Sequence, residues 1–229
     1  MTQKILASHR SIIFLHGTPP DKSLLALINT NMPIIAADGA AENAYRTGLA
    51  PHYIVGDGDS YTRPPKPQHR LSKDEPQIIT IADQDTTDFE KCLSFAKQAN
   101  LLPCLILGIS GGEIDHTLGN MRALLKHARE SNLYFLDTYV KKNSDTIGIK
   151  LGIPIGAGQK LVLHVRPKSM VSIVHFDDTL MQTHGLKWEL NNHLFSPDGI
   201  LGVRNECISS RVEFEAKKGG ALLIFDINE

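Results

Sequence analysis

Only 3 of the 229 residues are cysteine, only one is tryptophan, and no apolar run approaches the ~20 residues that span a bilayer. Cys92, Cys104 and Cys207 are odd in number and widely spaced, so they form neither a disulfide framework nor a zinc ligand set. Charge of one sign is also missing: 24 Lys and Arg stand against 25 Asp and Glu, a formal net charge of −1. That balance offers no domain-wide basic field for a phosphate backbone, which argues against a nucleic-acid partner. The apolar stretch at Ile5 and Leu6 stops at His9 and Arg10, short of a signal-peptide core. These absences read as a reduced, cytoplasmic, soluble protein with no membrane partner. Two phosphate-binding signatures are absent as well. There is no G-x-x-x-x-G-K-[ST] loop, and no run of three spaced glycines follows the first apolar segment.

What is present is alternation. Apolar runs at Ile12–Leu15, Pro33–Ala37, Tyr53–Val55, Ile78–Ala82, Cys104–Leu107 and Leu133–Leu136 read as buried strands. Between them, Lys22–Asn29, Ala41–Thr47, Thr87–Ala99 and His116–Arg129 space their apolar residues by three and four, as helices do. Strand–helix repetition implies a parallel sheet. The last third changes to short runs (Thr146–Leu151, Lys160–Arg166, Met170–Phe176, Thr179–Thr183, Ser209–Phe214, Ala221–Ile227) broken by Gly, Pro, Asn and Asp. The expected architecture is therefore α/β: a mostly parallel, Rossmann-like N-terminal domain over residues 1–142, then a small all-β sandwich over 143–229, with the polar stretch Lys141–Asp145 at the seam. The basic, Pro-rich stretch Arg63–Lys73 reads as a solvated loop.

In open parallel sheets ligands bind outside the carboxyl ends of the strands, and here those ends carry Asp and Gly. The runs lead into Asp38-Gly39, into Gly56-Asp57-Gly58-Asp59-Ser60, into Asp83-Gln84-Asp85-Thr86-Thr87-Asp88, and into Gly108 through Asp115. Asp57 and Asp59, two apart, point the same way if the segment is extended, about 6 to 7 Å apart. A hard divalent cation such as Mg²⁺ relieves their repulsion and usually shares its oxygen ligands with substrate phosphates. No His or Cys stands beside the pair to favour zinc. Local alternatives stay open: Asp85 or Thr87 serves equally as a helix cap, Thr87 and Glu90 having capping-box spacing, and Asp115 as a favourable charge in a first turn. Gly111-Gly112 before a helix offers free amides to phosphate, or is an ordinary tight turn. Taken together the four loops point to a nucleotide polyphosphate held through Mg²⁺ and to phosphoryl-type transfer.

The ordered set Ala37-Asp38-Gly39, Pro51 through Ser60, Asp83-Gln84-Asp85 with Thr87-Asp88-Phe89, and Gly111-Gly112 with Asp115-His116-Thr117 and Asn120 resembles the thiamine pyrophosphokinase family. The likeness continues through Thr183-His184-Gly185-Leu186-Lys187-Trp188 and Asn205-Glu206, so it covers nearly the whole chain. It implies a homodimer with shared sites that transfers the diphosphoryl group of ATP to the hydroxyethyl oxygen of thiamine, releasing AMP. By the same resemblance Asp57, Asp59 and Asp88 hold Mg²⁺ and phosphate, and Asp115 supports them. Asp38, Gly39, Gly111, Gly112 and His116 lie on the ATP side, Gln84, Thr183, Trp188 and Asn205 on the thiamine side. Trp188 matches the aromatic platform on which thiamine stacks, and Asp88 or Asp59 is the expected proton acceptor. The sequence departs from the family at Gly58, where an aromatic residue is usual, at Glu113, where Arg is common, and at Gly202 and Arg204, where serines are common. Those departures keep two other readings in view: a diphosphokinase for another hydroxymethyl heterocycle such as a pterin, and a silent thiamine or nucleotide sensor.

Overall fold

A computed structural model describes residues 8–58, 75–142 and 145–227. The chain divides into two compact units, one ending at Ala123 and the other beginning at Leu124.

The first unit holds β1 (Ser11–Phe14), α1 (Lys22–Leu25), β2 (Ile34–Ala37), a 3₁₀ turn (Asp38–Ala40), α2 (Ala41–Arg46), β3 (Tyr53–Gly56), β4 (Gln77–Thr80), α3 (Asp88–Gln98) and β5 (Cys104–Leu107). Helix α4 (Ile114–His127) follows and contains the division between the units. The strands run β5-β1-β2-β3-β4, and each pair within the unit is parallel. Unbroken apolar runs are what strands buried on both faces require, and every residue of β1, β2 and β5 is buried. Strand β4 departs from the buried strand expected at Ile78–Ala82: it is the edge of the order, and Ile78 is 49% exposed. Among the described residues its one strand neighbour is β3.

Helix α3 shows how sequence places the site. Phe89, Cys92, Leu93 and Ala96 fall at i, i+3, i+4 and i+7 and are buried. Thr87 and Glu90 close a reciprocal capping box at its start. At its end Asn100 takes a left-handed φ of 57°, with its N–H donating to Lys97 O at 3.2 Å and that of Leu101 to Ala96 O at 2.8 Å. That pairing is a Schellman stop. The ambiguity at Thr87 thus resolves toward a cap, and the cap fixes where Asp88 begins the helix.

Order β5-β1-β2 places the reversal of winding between β1 and β5, the position where a crevice opens beyond the strand ends. The two loops leaving those strands are tied by backbone bonds from Gly17 N to Gly108 O (2.8 Å) and Thr18 N to Ser110 O (2.7 Å). Gly111 and Gly112 both have positive φ, 88° and 71°, and a Cβ on Gly111 would collide with Thr18. Glycine is therefore required at Gly111 to bring the loop past Thr18 into α4.

The second unit is all-β: β6 (Leu133–Val140), β7 (Ile147–Gly156), β8 (Gln159–His164), β9 (Met170–His175), β10 (Thr179–His184), β11 (His193–Phe195), β12 (Gly202–Glu206), β13 (Arg211–Lys218) and β14 (Gly220–Asp226). Within it the orders are β12-β9-β14-β7-β6 and β11-β10-β13-β8, with antiparallel pairing throughout. Burial alternates along β9, β10 and β13, as in sheets with one wet face. Phe214 of β13 and Phe225 of β14 meet edge to face at 6.0 Å. The structure moves one expected boundary. Val140 pairs with Ile147, and Lys141 N donates to Thr146 O at 3.0 Å, so the polar stretch taken as a seam lies in the turn of the β6–β7 hairpin. Strand β6 consequently belongs with the second unit.

Replacing Thr87 with Ala removes the cap of α3 and should cost about 1 kcal/mol in urea unfolding, whereas Thr87→Ser should stay within a few tenths of the wild type. Equal loss in both variants would show that the hydroxyl cap is not what holds this end.

Candidate functional site

The end of β2 delivers Asp38, and the end of the adjacent parallel strand β3 delivers Gly56-Asp57-Gly58. Asp38 is buried at 4% exposure. Its Oδ1 accepts from Gly39 N at 2.7 Å and its Oδ2 from Gly58 N at 3.3 Å. Gly56 makes room for this carboxylate, since a Cβ there would overlap it. Asp57 stands 20% exposed beside it, its Oδ2 receiving Gln84 Nε2 at 3.2 Å. Asp88 opens α3, and one turn on Lys91 lies buried with Nζ 3.2 Å from Asp88 Oδ1 and 3.4 Å from Asp57 Oδ2. Four expected residues, Asp38, Asp57, Gln84 and Asp88, are thus brought together. Asp59 and the Arg63–Lys73 stretch lie outside the described residues.

The electrostatics of this group are unbalanced. Burial first, then the negative charges of Asp88 and Asp57, raise the Asp38 carboxyl above its ordinary value of 3.8, against the lowering effect of the Gly39 and Gly58 amides. Burial alone would depress Lys91, but hydrogen bonding and charge from Asp88, and then Asp57, outweigh it and hold the ammonium above its usual range. Unit charges about 4 Å apart interact by roughly 4 kcal/mol at an effective dielectric of about 20, whereas a hydrogen bond returns only about 1 kcal/mol net. Among the described residues Lys91 thus pairs with Asp57 and Asp88, while Asp38 adds a third carboxylate that feels the repulsion of both. The donors are all carboxylate oxygens, which is the chemistry of Mg²⁺ rather than zinc.

The remaining expected residues fall elsewhere. Asp83 and Asp85 form a turn of their own, with Asp83 Oδ1 accepting from Asp85 N at 2.9 Å. Asp115 stands exposed in the first turn of α4 with Glu113 and His116, whose ligand atoms lie within 4.8 Å of one another. Among the described residues no hydrogen bond or ion pair joins Asp115 to Lys91. His116 Nε2 approaches Glu113 Oε2 at 3.4 Å, so the acidic departure at Glu113 has a local partner. Asn120 Nδ2 donates to Ile109 O at 3.1 Å and steadies the loop that carries Gly111 and Gly112.

In the second unit Trp188 is 58% exposed on the segment joining β10 to β11. Thr183 and Asn205, placed on the thiamine side by the resemblance, are buried at 5% and 7% and bond to this segment. Asn205 clamps Trp188 from both sides of its backbone: Oδ1 accepts from Trp188 N at 3.2 Å and Nδ2 donates to Trp188 O at 2.7 Å. Thr183 Oγ1 donates to Glu189 Oε2 at 2.7 Å and accepts from Leu190 N at 2.9 Å. The two departures near Asn205 have a local cause. A Cβ on Gly202 would stand only 3.0 Å from Ile173, and a bulge between Gly202 and Asn205 puts Arg204 in a left-handed conformation, φ 59°.

Two residues escaped the sequence reading. Lys91 had a signal, a lysine three positions after Asp88 on a helix whose neighbours Cys92 and Leu93 are core. Glu189 had none, because the groups that donate to it come together only once the segment folds back on itself. Burial raises all three thiols, Cys104 and Cys207 to about 11 and Cys92 well above its usual range, which disfavours the thiolate form of each.

Residues 24–135 match the family model for the thiamin pyrophosphokinase catalytic domain, and residues 160–220 match that for the thiamin pyrophosphokinase vitamin B1 binding domain. Among curated proteins, thiamine pyrophosphokinase of Bacillus subtilis is 29% identical over 196 residues, 83% of this chain and 85% of the relative. Thiamin pyrophosphokinase 1 of Caenorhabditis elegans is 25% identical over 230 residues, 94% and 87% of the two chains. The crystal structure of the Bacillus subtilis thiamine pyrophosphokinase superposes with a TM-score of 0.71 at 22% identity, covering 96% of this chain and all of the other. Thiamin pyrophosphokinase from Candida albicans gives 0.68 at 16%, covering 98% and 91%. At those identities the structural likeness is one of fold.

The raised carboxyl of Asp38 has a stability consequence. The folded state holds this proton more tightly than the unfolded chain, so the stabilisation is present below the ordinary value of 3.8 and is lost as pH rises through the folded value. In EDTA, Asp38→Asn should therefore gain stability relative to the wild type as pH is raised from about 4 to 7 in urea unfolding. Parallel curves for the two proteins would contradict the charge crowding described here.

Proposed function

Because the chain belongs to the thiamin pyrophosphokinase family, we propose that it transfers the diphosphoryl group of ATP to the hydroxyl of thiamine, yielding thiamine diphosphate and AMP. The observation that carries the catalytic half of this reading is the convergence of Asp57 and Asp88 on the buried cation Lys91, with the Asp38 carboxylate close enough to feel both negative charges. In the transfer, the hydroxyethyl oxygen of thiamine bonds to the β-phosphorus while the bond from that phosphorus to the α,β-bridging oxygen breaks. The hydroxyl proton passes to a carboxylate, for which Asp88 and Asp59 are the candidates, and the bridging oxygen leaves on AMP.

We assign ATP to the parallel unit and thiamine to the antiparallel one. Asp57 and Asp88, with Asp59, are the residues that would hold Mg²⁺, and the oxygen-only donor set around Lys91 fits it. When bound, the ion screens the triphosphate oxygens so that a neutral alcohol can approach. The protein's own groups do the rest. Lys91 holds Asp57 and Asp88 in one place before substrate arrives, so little reorganisation is left for the transfer step. Asp38 fixes the Gly39 and Gly58 amides and thereby the two loops that flank the site. The turn Gly111-Gly112 presents backbone amides at the start of α4, where the helix dipole favours phosphate. Asp115, with Glu113 and His116, borders that turn rather than joining the Lys91 group, and we place it in support of ATP binding. Gln84, whose amide donates to Asp57, is assigned to the acceptor by the family resemblance.

On the thiamine side Trp188 supplies a flat face that stacks on the pyrimidine and attracts the cationic thiazolium. Thr183 and Asn205 act beneath it. The reading includes a homodimer, as the family resemblance implies. Among the described residues no helix is long and apolar enough to cross a membrane. A different hydroxymethyl acceptor is not favoured, since both family models are thiamin ones.

Incubation with ATP, Mg²⁺ and thiamine should form AMP and thiamine diphosphate in equal amounts. Asp57→Asn should lower kcat by about two to three orders of magnitude while shifting unfolding stability by no more than ~1 kcal/mol. Turnover at the wild-type rate in Asp57→Asn would remove Asp57 from the machinery, and tight binding of both substrates without AMP would make the chain a sensor.

A further inference from the structure

The segment from Gly185 to Asn192 leaves β10 and enters β11 with almost no strand pairing of its own. Its one ladder contact is the isolated bridge Leu186–Cys207. Yet its backbone donors are occupied in turn. Lys187 N donates to Glu206 O at 2.8 Å, Trp188 N to Asn205 Oδ1, and Leu190 N to Thr183 Oγ1. The donors of Gly185 and Leu186 go to one carboxylate oxygen, Glu189 Oε1, at 2.6 and 3.1 Å. The other oxygen, Oε2, takes the Thr183 hydroxyl at 2.7 Å. Glu189 thus closes a ring of hydrogen bonds around Trp188, from Thr183 through Glu189 to Gly185 and Leu186 on one side, and from Thr183 to Leu190 on the other. Bonds to an ionised acceptor are about twice as strong as neutral ones.

The cation next in sequence to Trp188 is engaged elsewhere. Lys187, the nearest cation in sequence, pairs with Glu206 Oε2 at 3.3 Å. Its ammonium also lies 5.0 Å from the Trp188 ring centroid, over one face of the indole. A ligand ring then stacks on the opposite face.

We propose that Glu189 is a positioning residue for thiamine binding: its carboxylate substitutes for a strand partner, fixing the exposed Trp188 indole before the ligand arrives. The proposal rests on the reading of Trp188 as the thiamine platform. An aromatic side chain on an exposed connection would otherwise sample many orientations, and the cost of ordering it would be charged against affinity at each binding event. Neither Glu189 nor its ring touches the reacting atoms. Its influence therefore falls on the affinity for thiamine and not on ATP.

Trp188 is the only tryptophan of the chain, so its fluorescence anisotropy reports on this one side chain. In ligand-free Glu189→Ala, with folding checked by circular dichroism, a fast depolarising component should appear that the wild type lacks. The KM for thiamine should rise about tenfold with the KM for ATP unchanged within about twofold. Glu189→Gln keeps an oxygen acceptor for the Gly185 and Leu186 amides and should fall between. If Glu189→Ala does not fold, Glu189→Gln and Thr183→Val carry the same two measurements. Wild-type anisotropy in a folded variant overturns the proposal, and so does altered anisotropy with an unchanged thiamine KM, which would make the ring structural only. A wild type that neither binds nor converts thiamine would refute the proposed activity instead, while the ligand-free anisotropy still decides whether Glu189 fixes the indole.

Discussion

Like charges gathered at the end of a parallel sheet are the constraint on which the catalytic unit depends. Asp38, Asp57 and Asp88 arrive from three separate stretches of chain, and Lys91 pairs with Asp57 and Asp88. A fold selected for stability alone gains nothing from this arrangement, because burial and mutual repulsion both act against the ionised form of Asp38. It persists because the sheet and α3 over-determine it. Ala37 and Val55 are paired across adjacent strands, Gly56 clears space for the Asp38 carboxylate, and the Thr87 cap sets the first turn of the helix that carries both Asp88 and Lys91. On the reading proposed above, a polyphosphate and its counter-cation would relieve that repulsion.

The antiparallel unit solves the opposite problem. It must hold an apolar, exposed ring still without burying it. Buried Thr183 and Asn205 and the carboxylate of Glu189 provide acceptors in place of a strand, so the rigidity of Trp188 comes from polar bonds beneath the segment. The two units thus show contrasting physics, carboxylates gathered around a lysine in one and an exposed aromatic ring on a hydrogen-bonded segment in the other.

Much of this was legible in the sequence, and the reasons are particular. Runs such as Ser11–Phe14 and Cys104–Leu107 are apolar without alternation, which only a doubly covered parallel strand tolerates, and their ends identified Asp38 and Asp57 before any coordinates. The 3- and 4-residue spacing from Phe89 to Ala96 fixed α3 to within a residue. Where patterning failed, a tertiary effect had decided. Strand β4 is apolar at Ile78 and Ile79 but sits at the edge of its unit's order. Strands β11 and β12 are three and five residues long, too short for periodicity to register, and β12 is interrupted by a bulge. Lys141–Asp145 has the composition of a linker, yet hairpins favour the same residues. The bonds of Thr183 and Asn205 to the backbone around Trp188 were not legible in the sequence, because they join residues brought together only by the folding of that segment.

The central claim is that these carboxylates form one cation-binding group with the nucleotide. Electron paramagnetic resonance of Mn²⁺, titrated into the protein with ATP and without it, measures that directly. The account predicts that the wild type binds Mn²⁺ and that Asp88→Asn weakens this at least about tenfold. Mn²⁺ bound equally well by the wild type and by Asp88→Asn would contradict it.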